Sequence, residues 1–246
     1  MRSSNPAIKK VRNLNEAVGF GAANPATYGG VGLKVMYYLA LTIVSAIVFV
    51  ALPLGNATTG VLIGMLIVGM ICGFLACTSP KATMICGSIY CVAEGAMIGL
   101  ISALFDALVQ GVIIMALLST VLTLAVIALL YFTGVVRVGS KFRRFIMSAL
   151  IALVLSQLVF MLLALFVPSV STAFYGSFWL QLIITVVFIV IAALSLFTDF
   201  DDITMIVENG MDKSCEWMAA YGLVLTLIWL YLEFLKLAVL ILGNRD

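Results

Sequence analysis

The chain has 246 residues, 64% of them hydrophobic and 10% charged, with a net charge of +2 and no histidine; its mean hydropathy is +1.25. These values lie far outside the soluble range and leave an integral membrane protein, with no nucleic acid expected as a partner. Without histidine there is no HExxH zinc peptidase, no Ser/His/Asp or Cys/His nucleophile pair and no haem with an axial histidine. An aspartyl intramembrane protease needs only two acids, but its Gly-x-Gly-Asp and Tyr-Asp signatures do not occur in consecutive helices. No enzymatic activity and no cofactor are expected.

In chain order, residues 1–32 are polar and rich in Gly, Pro and Asn. They lack the early apolar stretch of a cleavable signal peptide, so the expectation is a retained cytoplasmic tail. Seven apolar runs follow, at about 33–54, 59–78, 84–105, 110–133, 144–167, 176–198 and 218–242. Each is near the roughly 20 residues a spanning helix needs and much too long for a barrel strand. Helices satisfy every backbone group internally. Residues 33–246 therefore read as one all-α membrane domain, a seven-transmembrane-helix bundle whose short connections make sequential helices antiparallel neighbours.

Arg2, Lys9, Lys10 and Arg12 lie in the tail, Lys81 in the second connection, and Arg137, Lys141, Arg143 and Arg144 in the fourth; the first, third and fifth connections carry neither Lys nor Arg. The positive-inside rule then puts the N-terminus in the cytoplasm. The sixth connection, Asp199 to Trp217, falls on the same side despite its acids. The last segment leaves two alternatives: it spans, or it re-enters and returns Gly243-Asn244-Arg245-Asp246 to the cytoplasm.

Cys72, Cys77, Cys86, Cys91 and Cys215 are odd in number and form no CxxC, which favours packing over disulfides or zinc. Gly60 with Gly64 and Gly95 with Gly99 suit close helix approach, either within the monomer or at a weak homo-oligomer face.

An intramembrane carboxylate is a functional-site candidate whose partner must be sought. Glu94, near the middle of the third run, is either a hydrogen-bonded structural acid or part of an ion pathway. Lys81, just after Pro80, either snorkels to the interface or supplies a counter-charge. Thr198-Asp199-Phe200-Asp201-Asp202 closes the sixth run. If that helix continues, Asp199 and Asp202 share a face and Asp201 points elsewhere. Glu233, inside the seventh run, is followed one turn on by Lys236, a simple ion pair in one reading. In the other, Glu233 meets a sixth-helix carboxylate, and since two negative charges in a poorly hydrated interior are costly the pair shares a proton.

Several stretches together resemble the bacterial branch of the Bax-inhibitor-like (transmembrane Bax inhibitor motif) family. They are Met1-Arg2-Ser3-Ser4-Asn5-Pro6, Pro80-Lys81-Ala82 with Glu94-Gly95, Val136-Arg137-Val138-Gly139-Ser140-Lys141-Phe142, Asp199-Phe200-Asp201 and Trp229-Leu230-Tyr231-Leu232-Glu233. The resemblance covers essentially the whole chain and implies a bundle with a central last helix and a pH-governed calcium leak. It also implies two carboxylates, one on the sixth helix and one on the seventh, that share a proton. The seventh-helix member matches Glu233, where many relatives have Asp. The sixth-helix member matches Asp199 on an ungapped alignment to Gly210, the preferred choice, and Asp201 if the Phe-Asp dipeptide is aligned. A basic residue near the second helix holds the pair closed in relatives; Lys81 is the nearest match, where the family pattern has Arg.

The resulting expectation is a pH-sensitive calcium leak channel. Asp199, Glu233 and Asp201 form its sensor, Glu94 and Asp202 its ion pathway, and Asp199 with Glu233 a weak, transient calcium site. Calcium takes six to eight oxygen ligands, and a leak needs loose binding so that the ion can leave. The partners are then lipid, calcium and protons. The alternative is a membrane-embedded regulator of a protease or cell-death-suppressor-like pathway, acting on a membrane protein partner without transport. Proton-coupled secondary transport would leave an internal repeat and discontinuous helices, which the sequence does not display.

Overall fold

The computed structural model describes residues 24–52, 58–166 and 176–243. Among them are seven helices: α1 (Tyr28–Ala51), α2 (Thr58–Ala76), α3 (Pro80–Leu108), α4 (Val112–Phe132), α5 (Ser140–Phe166), α6 (Phe178–Glu208) and α7 (Cys215–Leu242). All seven contain a stretch long and apolar enough to cross a bilayer, so the protein is an all-α integral membrane protein. The opening hexapeptide, Arg2, Lys9, Lys10, Arg12 and Arg245, and most of the fifth connection lie outside the described residues.

Capping chemistry moves several helix ends away from the edges of the apolar runs. Thr27 caps α1, its Oγ1 accepting from Gly30 N–H at 3.0 Å. The helix accordingly starts at Tyr28 rather than near 33. Pro80 opens α3, where a missing N–H leaves nothing unsatisfied, and Ser79 Oγ accepts from Ala82 N–H at 3.3 Å.

The largest shift is in α6, which runs to Glu208, well past the apolar edge near 198. Buried Ile203 and Ile206 extend its inner face, and it stops at Gly210, where φ is +59°. Gly210 N–H donates to Val207 O and Met211 N–H to Ile206 O, both at 3.1 Å, the bond pair of a Schellman stop. Asp199, Asp201 and Asp202 are therefore all helical.

The described chain divides into two compact units. The first takes residues up to Leu100 with Asp201–Val224; the second takes Ile101–Phe200 with Leu225 onward, so α3, α6 and α7 contribute to both. In the first, α1 and α3 touch backbone to backbone. A Cβ added at Gly99 would stand 2.8 Å from Ala46 Cα, and one at Gly95 would collide with Thr42 O. Ser45 Oγ donates to Val92 O across the same seam at 2.6 Å. Gly95 and Gly99 thus pack within the chain, whereas a Cβ at Gly60 or Gly64 would meet nothing within 4 Å among the described residues.

In the second unit Tyr131 stacks on Phe200 with ring centroids 5.8 Å apart, and the Ser102 and Tyr231 hydroxyls bond at 2.8 Å. The most buried helix is α7: half of its apolar window is enclosed, against 6–33% for the others, which marks it as an inner helix. It is one unbroken helix of 28 residues. At about 1.5 Å per residue that exceeds the roughly 30 Å hydrocarbon core.

Candidate functional site

The site grows from the second unit, where α6 brings Asp199 against α7. Thr226 hydrogen-bonds the Asp199 carboxyl. Its other oxygen, Oδ2, is enclosed and has no hydrogen-bond partner, alone in this among the buried side-chain oxygens and nitrogens of the described residues. Leu196, Phe197 and Phe200, the neighbours of Asp199 along α6, are buried as well. Leaving a buried polar atom unsatisfied costs about 1–3 kcal/mol, and more for an ion.

Glu233 lies seven residues beyond Thr226, almost two full turns, so the two share a face of α7 about 10 Å apart along its axis. Glu233 is 3% exposed. Its Oε1 accepts from Lys236 Nζ at 2.8 Å and from Trp229 Nε1 at 3.3 Å. The ion pair that the spacing allowed is therefore formed, with the Lys236 side chain 48% exposed. Phe188 of α6 meets the Trp229 ring edge-on at 6.1 Å. In this arrangement Asp199 bonds to Thr226, and Glu233 is bound by Lys236 and Trp229. The two acids stand along one α6–α7 seam without a hydrogen bond between them.

The remaining candidates are more dispersed. Asp201 and Asp202 follow on α6, both partly exposed; Asp202 falls on the Asp199 side and Asp201 does not. Glu94 belongs to the first unit, half-buried on α3. There it neighbours Tyr90 and Tyr221, with Oε2 3.7 Å from where a Cβ at Gly69 would sit. Lys81 is exposed at the start of α3. Its charge acts on Asp212, which the Ser214 hydroxyl and N–H, and then Lys81, hold below the usual carboxylate range. No group of three or more Cys, Asp or Glu converges among the described residues.

One buried acid escaped the sequence reading. Glu216, in the first turn of α7, is fully enclosed. Its Oε1 accepts from Thr27 N–H at 2.8 Å and Thr27 Oγ1 at 3.3 Å, and Oε2 pairs with Lys34 Nζ. Lys34 also stands 5.0 Å over the Trp217 ring, a cation–π contact. A Cβ at Gly30 would collide with the Glu216 carboxylate, so the glycine makes room for it.

The adjoining backbone is tied as well. Ala26 N–H donates to Met211 O at 2.8 Å and Lys213 N–H to Asn24 O at 3.0 Å. The end of the tail and the sixth connection thus share one side of the membrane, as the Lys/Arg pattern requires. Glu216 was hidden because it precedes the seventh apolar run. Lys34, a lone cation inside the first run, was the available signal, since such a charge implies a buried partner.

The family model described as Bax inhibitor 1 like matches residues 5–243, and the chain belongs to that family. No curated protein and no solved structure matches it.

Proposed function

We propose that this Bax-inhibitor-like membrane protein is a pH-regulated calcium leak channel of the bacterial cytoplasmic membrane. In this reading its N-terminus is cytoplasmic, and Asp199 and Glu233 are the proton-binding groups. The observation that carries the reading is the enclosed, unpartnered Oδ2 of Asp199. A fold gains nothing by leaving that oxygen bare, whereas an enclosed carboxyl bonded on one side only, to Thr226, is a site at which a proton or a cation changes the local energy.

The α6–α7 seam supplies the coupling. Protonation of Asp199 alters its bond to Thr226, and Thr226 lies on the same face of the inner helix as Glu233. Glu233 in turn is paired with Lys236, whose side chain reaches an exposed position. A cation passing the seam would find carboxylate oxygens and water but no closed cage. Such weak, transient binding is what conduction requires. Asp202, one turn on along α6, would extend the acidic path, with Asp201 as the weaker alternative to Asp199.

The test is calcium flux into proteoliposomes of the purified protein as a function of pH, for wild type, Asp199→Asn and Glu233→Gln. The expected result is a wild-type flux that changes between neutral and mildly acidic pH, and flattened profiles in both variants. No flux at any pH would favour the membrane-embedded regulator instead. Sidedness is tested separately: a reporter at Ser140 should be cytoplasmic and one at Gln110 external, and the reverse at both would overturn the orientation.

A further inference from the structure

An open cavity of about 430 Å³ lies in the first unit, lined by Lys34, Lys81, Lys213 and Ser214 together with Pro80, Met84 and Trp217. We propose that this cavity binds a phosphate group, as a lipid headgroup or as the free ion. Three of the seven lysines in the chain line it, although they come from separate stretches: the second turn of α1, the start of α3 and the sixth connection. A scatter of interfacial anchors would point them independently at headgroups around the perimeter. Here the fold gathers them at one cavity.

Their charges are only partly answered. Lys34 is paired with Glu216 and Lys81 acts on Asp212. Three cations stand against two carboxylates, and Asp212 is already occupied, its Oδ1 accepting Ser214 N–H at 2.8 Å. Lys213 has no ion-pair partner among the described residues. The N-terminal ends of α3 and α7 border the same space and add partial positive charge.

Lysines from three separate stretches of the chain line this one cavity, and ammonium groups, as point-like donors, suit a tetrahedral oxyanion better than a planar carboxylate, which favours the flat fork of arginine. Pro80, Met84 and Trp217 in the lining offer apolar contact to the ester portion of a phospholipid. The inference is independent of calcium transport.

The test is calorimetric titration of the full-length protein in a neutral detergent with two probes, inorganic phosphate and dihexanoyl phosphatidic acid. Three proteins are compared: wild type, the double variant Lys81→Gln/Lys213→Gln, and Lys141→Gln as a basic residue outside the cavity. Lys81 and Lys213 are exposed and hold no part of the core, so the double variant keeps its fold; Lys213→Gln alone is the reserve. The expected result is saturable wild-type binding, weakened about tenfold or more per lysine removed and unchanged in Lys141→Gln. Binding of the lipid probe alone identifies a headgroup site, and binding of phosphate as well identifies the free ion as a ligand. Failure of both probes to bind at millimolar concentration, or equal affinity in the double variant and wild type, would overturn the proposal.

Discussion

Two buried acids of this protein were treated in opposite ways. Glu216 is enclosed with every charge-assisted contact in place: a helix N-cap N–H, a hydroxyl and a lysine. Asp199 is enclosed with one hydroxyl partner and one bare oxygen. Burial is common to both, so burial does not separate a structural acid from a functional one. Satisfaction does. An acid whose bonds are complete holds elements together, and one left incomplete keeps a capacity to bind something else.

The widest separation between the two should appear in stability. Glu216→Gln leaves Lys34 in its pocket without an opposing charge, and breaking a buried pair in this way costs about 3 kcal/mol or more. A pronounced drop in Tm in detergent is expected, with recovery when Lys34 is also replaced, as in Lys34→Met/Glu216→Leu. Asp199→Asn removes no such network, and its Tm should stay close to wild type, a change within about 1 kcal/mol. If Asp199→Asn proved as damaging as Glu216→Gln, the distinction drawn from satisfaction would fail.

Glu233 lies between these extremes. Its lysine partner is half-exposed, so solvent screens the pair and Glu233→Gln should lose no more than about 1 kcal/mol while flattening the pH response of flux. Within α6 the ranking should be Asp199→Asn above Asp202→Asn in effect on that response, because Asp199 faces α7 and Asp202 is nearer the connection. A larger effect from Asp202 would move the site toward the membrane surface.

The smallest effect belongs to Asp212. Its carboxyl is held below the ordinary range by Ser214 and Lys81. Whatever stability it contributes is present above its unfolded value, near pH 3.9, and is lost as pH falls through the lower folded value. Thermal melts of Asp212→Asn should therefore differ slightly from wild type at neutral pH and converge in strong acid. A gap that widened on acidification would contradict the assignment.

The seven helices were legible because hydrocarbon imposes length and apolarity on each span. Their ends were less so. Composition stops at the membrane edge, but α6 continues through Asp199-Phe200-Asp201-Asp202 on the strength of Ile203, Ile206 and the glycine stop at Gly210. The Glu233–Lys236 pair was visible as an i,i+3 spacing. Glu216 with Thr27 was not, because 189 residues separate partners whose meeting depends on tertiary packing. The Thr226 contact to Asp199 was hidden for a related reason: a threonine in an apolar helix carries no mark until the facing residue is known. Lys34, Lys81 and Lys213 are far apart in the sequence, and only the fold gathers them into one cavity.

The most direct test of the central claim is the pH profile of calcium flux in proteoliposomes for wild type and Asp199→Asn, at matched, verified folding. The account predicts a wild-type flux that changes between neutral and mildly acidic pH, and an Asp199→Asn protein of normal thermal stability whose flux no longer follows pH. A variant that retained the wild-type profile would contradict the claim that the incompletely bonded acid is the sensor.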